Sequence, residues 1–175
     1  NCNGEIDELT IAGIEAGINI SFAISSNGTL WSWGSNYYGS LGDGRTTQRQ
    51  SPVQVGSDRD WASVAAGQSH ALGIKSDGTL WAWGYNGNGA LGDGTWIDRH
   101  TPVQAGSDND WVSVAAGQYH SLGLKSNGTL WAWGYAVNGA LGDGTQTNKS
   151  SPVRLGSDSD WGSVATGAGH SIGIK

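Results

Sequence analysis

Cysteine, methionine and proline are scarce in this sequence of 175 residues, which contains one, none and three of them, respectively. The single Cys2 excludes an intrachain disulfide framework and a cluster of thiolate metal ligands. No apolar run approaches the roughly 20 residues that a membrane-spanning helix requires. Basic residues are also few, because 9 Lys and Arg are scattered among 15 Asp and Glu, for a formal net charge of -6. Since binding to nucleic acid depends on clustered positive charge, this composition argues against a nucleic-acid partner.

Glycine and tryptophan, by contrast, are abundant, with 30 and 10 residues. Glycine without a three-residue period is typical of an all-β protein with many tight turns. Regularly placed tryptophans and alternating apolar residues argue against disorder. The low lysine content, the single cysteine and the wealth of Asn, Ser, Thr and Gly predict an extracellular or cell-surface protein of bacterial origin.

One motif organises the chain. The segment 75–84 reads Lys-Ser-Asp-Gly-Thr-Leu-Trp-Ala-Trp-Gly, and close copies occupy 25–34 and 125–134. Asp-Gly or Asn-Gly between two apolar runs predicts a β-hairpin in which both turn residues have positive φ. Side chains two residues apart point to the same face of a strand, so Trp81 and Trp83 share one face. A single hairpin cannot bury two such rings, whereas stacked copies of it can.

The fifty-residue spacing makes 1–175 a single repeat domain. It divides into an N-terminal extension, three full repeats and a partial fourth repeat, over residues 1–10, 11–60, 61–110, 111–160 and 161–175. Each full repeat is expected to form four strands, which in the second repeat are 61–66, 70–75, 79–83 and 101–104. The fourth is expected at an edge, because Pro102 cannot donate to a ladder. Four short strands per unit and no helical period indicate one propeller blade per repeat.

The order of the motifs resembles a known family. The later repeats carry Val-Ala-x-Gly-x-x-His, then Asn/Asp-Gly-Thr-Leu-Trp-x-Trp-Gly, then Gly-x-Leu-Gly-Asp-Gly and Pro-Val. This set is similar to the regulator of chromosome condensation repeats. The resemblance implies a β-propeller, usually seven-bladed, of which about three four-stranded blades plus a partial one are present. Such a set cannot close the ring, so the chain is expected to be part of a longer propeller or to complete one with further copies.

Two sets of repeated residues are interpreted as structural. His70, His120 and His170 could form a ring of metal ligands or bases, but the resemblance favours buried rings that hydrogen-bond backbone groups between blades. The tryptophan pairs could stack on sugars, but their regular repetition favours packing between blades. These pairs are Trp31 and Trp33, Trp81 and Trp83, and Trp131 and Trp133.

The repeated aspartates could likewise form a metal site or a structural turn. Asp58 and Asp60 lie in a Ser-Asp-x-Asp-Trp motif that recurs at 108–110 and 158–160. Two such carboxylates could bind Ca²⁺, but no further carboxylate completes a cage, so we expect turns in which Asp oxygens accept backbone N–H bonds. Asp93 and its equivalents Asp43 and Asp143 are interpreted in the same way. We predict no metal, no cofactor and no catalytic residue, because catalytic residues normally occur once and these candidates are repeated.

Function is expected where the repeats differ. The differences lie in two main sets of loops, 35–38 with 85–88 and 135–138, and 45–50 with 95–100 and 145–150. A smaller third set comprises 68–69, 118–119 and 168–169. Equivalent loops of successive blades emerge on the same side, so each set lines one surface. The predicted partner contacts are Tyr37, Tyr38, Arg45, Tyr85, Trp96, Ile97, Arg99, Tyr119 and Tyr135. Tyrosine supplies rigid amphipathic contacts, and tryptophan is favoured at binding hot spots.

The leading hypothesis is therefore a non-enzymatic protein-binding scaffold. Members of the family it resembles serve as interaction modules, one promoting nucleotide exchange on a small GTPase and another inhibiting β-lactamases. A structural alternative is self-assembly of blades from several chains into a ring or filament, which nearly identical interfaces make geometrically easy. A carbohydrate-binding module is a further alternative that rests on the aromatic and Asn content. Neutral drift in solvated loops would also produce such differences.

Overall fold

The computed structural model describes residues 10–175, which form three four-stranded antiparallel sheets and a two-stranded hairpin. Cys2 and nearly all of the N-terminal extension lie outside the described residues. None of the described helices is long and apolar enough to cross a membrane.

The strands follow one another in sheet order. The first blade contains β1 (Ile11–Ala16), β2 (Ile20–Ser25), β3 (Leu30–Gly34) and β4 (Arg49–Gln54). The second contains β5 (Trp61–Ala66), β6 (His70–Lys75), β7 (Leu80–Gly84) and β8 (Arg99–Gln104). The third contains β9 (Trp111–Ala116), β10 (His120–Lys125), β11 (Leu130–Gly134) and β12 (Lys149–Arg154). The hairpin contains β13 (Ser163–Thr166) and β14 (Ser171–Ile174), and a short 3₁₀ helix covers Val137–Gly139.

The first strands of successive units lie side by side. β5 contacts β1 on one side and β9 on the other, and β13 contacts β9. These strands therefore form the inner wall of the assembly, while β4, β8 and β12 are edge strands that pair with one neighbour each. This arrangement confirms the predicted propeller, with three complete blades, half of a fourth and an unclosed ring.

The hairpin turn differs from the predicted one. Gly78 has φ +80° but Asp77 does not have a positive φ, so only one turn residue is left-handed. The Gly78 N–H donates to Lys75 O over 2.9 Å, and the Lys75 N–H donates to Thr79 O over 3.1 Å. These bonds define a three-residue loop in which glycine takes the left-handed position after an ordinary turn. The expectation of positive φ at both turn residues was wrong.

The fourth strand of the second blade begins two residues earlier than predicted, at Arg99. Its pairing with β7 shifts register between Ala82 and Gly84, which pair with Val103 and Arg99. Pro102 falls in this irregular stretch, where a missing N–H costs no ladder bond. The first part of the strand therefore lies within the variable loop, where the sequence shows no alternation.

Apolar residues from adjacent blades form the core between them. Trp83 of the second blade is fully buried against the first blade, with Phe22 5.8 Å away edge-to-face. Its Nε1 donates to Ser40 O over 3.0 Å, and Trp133 repeats the bond to Ala90 O at the next boundary. Each sheet thus presents tryptophan to the blade before it and aliphatic side chains such as Leu80 to the blade after it.

Candidate interaction surface

The paired aspartates before each blade bind a lysine. Lys75 Nζ lies 2.6 Å from Asp58 Oδ2 and 3.2 Å from Asp60 Oδ1. It also lies 4.4 Å from the centroid of the Trp81 ring. Burial lowers the pKa of Lys75, but the two carboxylates outweigh this and raise it. Our interpretation of these aspartates as turn acceptors was wrong. The same arrangement recurs at Lys125 and Lys175.

Asp93, in contrast, does accept the predicted turn bond. Its Oδ1 accepts the Thr95 N–H over 3.0 Å, and its Oδ2 lies 2.9 Å from Arg99 Nε. Burial alone would raise the pKa of Asp93, but the bonds from Thr95 and Arg99 outweigh it and lower the pKa. Arg99, a predicted partner contact, therefore holds its own loop in place. The equivalent pairs are Asp43 with Arg49 and Asp143 with Lys149.

Two of the repeated histidines are completely buried between blades. His70 Nε2 lies 3.0 Å from Ser121 Oγ, which itself donates to Ala90 O over 2.8 Å. Because the hydroxyl proton is used by that carbonyl, His70 must donate from Nε2, which leaves its buried Nδ1 without a partner among the described residues. The expected bond to a backbone group is therefore relayed by a serine. His120 is equally buried, whereas His170 is exposed.

The surroundings of these histidines are those of a packed interface. Within residues 10–175, no three His, Cys, Asp or Glu side chains come together as metal ligands would. Burial, followed by the repulsion of His120, lowers the pKa of His70 to about 3. The ring is therefore neutral at pH 7, and its environment is that of a packed interface.

Four of the five tyrosines form one continuous row across the three blades. Tyr38 meets Tyr85 at 5.0 Å between ring centroids, Tyr85 meets Tyr119 at 5.9 Å, and Tyr119 meets Tyr135 at 6.3 Å. Each step is edge-to-face, with interplanar angles of 63°, 64° and 72°. The row joins predicted contacts that come from four different loops. Nothing in the sequence showed that Tyr119 would bridge Tyr85 and Tyr135.

The row lies on one face of the propeller. In the second blade, the register pairs His70 at the start of β6 with Gly84 at the end of β7, and Gly84 with Arg99 at the start of β8. The loop 85–98, which carries both Tyr85 and Trp96, therefore opens on the side where β6 begins. The same register in the other blades adds Tyr38, Tyr119 and Tyr135 to this side. We refer to it as the tyrosine face.

The tyrosine face also carries exposed apolar side chains. Trp96 and Ile97 are 50% and 62% exposed, although the loop that holds them is fixed to Asp93 at one end. Tyr37 is 79% exposed and lines a groove with Gln48 and Gln50 of the first blade. Arg45 is exposed in the loop equivalent to that of Trp96. The predicted contacts thus share one side of the molecule, with Arg99 engaged in a salt bridge.

The chain belongs to the regulator of chromosome condensation (RCC1) repeat family. The repeat matches residues 27–74, 77–124 and 127–174, and a second description of the same repeat matches 11–40, 61–90 and 111–140. No curated protein matches the chain in sequence.

Several solved propellers share the fold. Prp20p from Saccharomyces cerevisiae, described with its binding to Gsp1p and histones, is 24% identical over 93% of this chain and 43% of its own, with a TM-score of 0.85. The same yeast protein in complex with Kap60 is 26% identical over 94% and 42% of the two chains, with the same TM-score. Human WBSCR16 is 21% identical over 94% and 44%, with a TM-score of 0.82. The chain therefore spans less than half the length of these proteins.

Proposed function

We propose that this chain is a protein-binding module that engages its partner through the tyrosine face. The observation that carries the proposal is the continuous tyrosine row, which four separate loops build although the blade scaffold does not require it. At the position of Tyr85 the first blade has Ser35, and at the position of Tyr119 the second blade has Ser69. The yeast relatives, described with Gsp1p, histones and Kap60, support a role in protein binding.

The perpendicular arrangement of the rings favours a protein partner over a sugar chain. Stacking on a sugar requires an open, flat ring face, whereas in each pair of the row the edge of one ring covers the face of the other. Edge-to-face rings with hydroxyl tips present a ridged amphipathic surface, and Trp96 with Ile97 adds an apolar anchor beside it. Surfaces of this composition are typical of protein-binding hot spots.

The double variant Tyr85→Ala with Trp96→Ala should abolish capture of the partner. Both side chains are partly exposed and outside the core between blades, so the thermal unfolding midpoint should change little. Capture is measured by photo-crosslinking from position 97, followed by identification of the bound protein. Val112→Ala serves as the control, because Val112 is comparably exposed and lies in β9, away from the row. Unchanged crosslinking in the double variant would contradict the proposal.

A second candidate function is self-assembly of chains through the two end blades. Ile172 and Ile174 in the hairpin are 55% and 62% exposed, whereas Leu122 and Leu124 at the same positions of the third blade are buried. Ile14 of the first blade is also exposed. These side chains are the two halves of the interface that is buried between complete blades, so a second copy could cover them.

Self-assembly predicts a fixed small multiple of 18.1 kDa by light scattering across a concentration series. Ile172→Ser combined with Ile174→Ser should return the chain to a monomer, because it makes the exposed half-interface polar. Val112→Ser provides the matched control at an exposed position outside that half-interface. A wild-type chain that is monomeric at all concentrations would exclude this candidate.

A further inference from the structure

One charged side chain on the tyrosine face is unlike its counterparts in the other repeats. Asp98 follows Trp96 and Ile97, and the equivalent residues are Gln48 and Asn148. Burial raises the pKa of Tyr85, and the carboxylate of Asp98 raises it further, as do the neighbouring tyrosines. Asp98 Oδ1 also accepts the N–H of Asn86, the residue directly after Tyr85, so Asp98 lies close to Tyr85 and to the Tyr38–Tyr85 ring pair. We call these three residues the Asp98 corner.

The fold does not need the charge of Asp98. Its Oδ1 accepts the Asn86 N–H over 2.7 Å, and this bond fixes the loop after β7. In the next blade, Asn148 Oδ1 accepts the Ala136 N–H over 3.0 Å. A neutral amide thus fixes the equivalent loop there. An amide thus satisfies the structural requirement, and the carboxylate adds only a negative charge.

The carboxylate is also free to act on a ligand. Among the ion pairs of residues 10–175, none includes Asp98, whereas Asp93 in the same loop is held by Arg99. Asp98 is only partly buried and has its second oxygen available. Beside it, Tyr38 and Tyr85 meet at 63°, and Tyr38 is 44% exposed. An open carboxylate next to aromatic rings attracts a cation through both its charge and the ring quadrupoles.

We propose that the Asp98 corner binds a cationic side chain, preferably arginine, presented by the protein partner. A guanidinium can stack on a tyrosine ring while its N–H groups donate to the carboxylate, which a compact ammonium does less well. The net charge of -6 favours the approach of such a group. This inference rests on the proposed protein-binding function and identifies the chemistry that one part of the tyrosine face recognises.

The next blade boundary provides a matched control within the chain. There the equivalent residues are Asn88, Tyr135 and Asn148, with Asn148 Nδ2 3.5 Å from Asn88 Oδ1. This corner has one tyrosine and no charge on the same backbone. It is therefore expected not to bind a cation, and Asn88→Tyr with Asn148→Asp should create a second binding corner.

The test uses the peptides acetyl-Gly-Arg-Gly-amide, acetyl-Gly-Lys-Gly-amide and acetyl-Gly-Gln-Gly-amide as probes. Each is titrated into the ¹⁵N-labelled chain at low ionic strength, and the backbone amide shifts of Tyr85, Asn86 and Asp98 are followed. We expect saturable shifts with the arginine peptide, weaker ones with lysine and none with glutamine. Asp98→Asn should lower the affinity for the arginine peptide by about tenfold. The amide oxygen of the new asparagine should still accept the Asn86 N–H.

Equal binding of the glutamine peptide, or unchanged affinity in Asp98→Asn, would overturn the cation site. So would the absence of shifts at Tyr135 in the variant with the transplanted corner. These outcomes are separate from the test of the proposed function. If Tyr85→Ala with Trp96→Ala abolishes crosslinking but Asp98→Asn affects neither crosslinking nor peptide binding, the tyrosine face binds a partner without this cation site. Loss of arginine selectivity in Asp98→Asn together with weaker crosslinking supports both.

Discussion

Replacing Gly78 by alanine is expected to destabilise the protein by about 4 kcal/mol or more, whereas the same change at Gly106 should cost only about 1 to 2 kcal/mol. Both glycines are left-handed, with φ of +80° and +76°. A Cβ at position 78 would lie 2.1 Å from Asn109 O and 2.8 Å from its carbonyl carbon, but at position 106 it would meet nothing within 4 Å. The difference in destabilisation between the two variants measures the clash with the backbone, because the strain of the left-handed conformation is common to both. Urea unfolding followed by tryptophan fluorescence measures both.

The clash cannot relax locally, because the turn is bound to the next blade. Gly78 O accepts the Trp111 N–H over 3.1 Å, so moving the turn away from Asn109 would break the bond that starts β9. A Cβ added at Gly128 would lie 2.1 Å from Ser159 O, so alanine there should behave like alanine at 78. If Gly78→Ala and Gly106→Ala lowered the free energy of unfolding equally, the close approach of the turn to the next blade would not be a constraint on the fold.

Much of this fold could be predicted because the determining signals are local and repeated. The Asp77–Gly78 pair, the alternating Trp81 and Trp83, and the fifty-residue period each act within a few residues and recur in register. The start of β8 at Arg99 was missed because it precedes a shift in register. Apolar and polar residues do not alternate there, so the sequence pattern does not indicate a strand. The turn type was missed because Asp-Gly suits two loop lengths, and the pairing of Lys75 with Thr79 decides between them.

The candidate site was less predictable, because it depends on contacts between distant residues. The variable loops identified Tyr85 and Trp96, but the role of Tyr119 as a bridge depends on how one blade is placed against the next. The lysine that binds Asp58 and Asp60 lies in a different motif, although its recurrence at a fixed distance from both could have suggested the pair. Repetition in the sequence identifies the residues that the blades need. Only the structure shows which of the non-repeated loop residues contact one another.

A second large effect is expected from acid, through the buried histidines. The folded-state pKa of His70 is about 3, below its ordinary value of 6.5, and burial also lowers the pKa of His120. As the pH falls, the unfolded chain therefore binds these protons before the folded chain does. The free energy of unfolding is unaffected by the histidines above about pH 6.5 and decreases as the pH falls towards 3. Between pH 6 and 5, His70 should cost about 1 kcal/mol of unfolding free energy, and His120 adds a loss of the same sign. Asp43 and Asp93, whose pKa values are lowered from 3.8, also stabilise the folded state, but this contribution is lost mainly at pH values below about 4.

The first blade boundary suggests a substitution that removes one of these histidines and preserves the packing between blades. At the boundary between the first two blades, the positions of His70 and Ser121 are occupied by Ile20 and Ala71, which are buried together in the core. The polar pair and the apolar pair are thus alternative solutions of one interface. The double variant His70→Ile with Ser121→Ala should fold, and it should reduce the loss of stability between pH 6 and 5 by the roughly 1 kcal/mol that His70 contributes, while the contribution of His120 persists.

The single variants separate the packing of this pair from its hydrogen bond. Ser121→Ala alone leaves His70 with no partner for either ring nitrogen and should cost about 1 to 3 kcal/mol. His70→Ile alone leaves Ser121 bonded to Ala90 O and should cost less. The double variant should therefore be more stable than Ser121→Ala, a non-additivity expected of residues in direct contact. If instead the pH dependence of the double variant equalled that of the wild type, the buried His70 would not be a source of acid sensitivity.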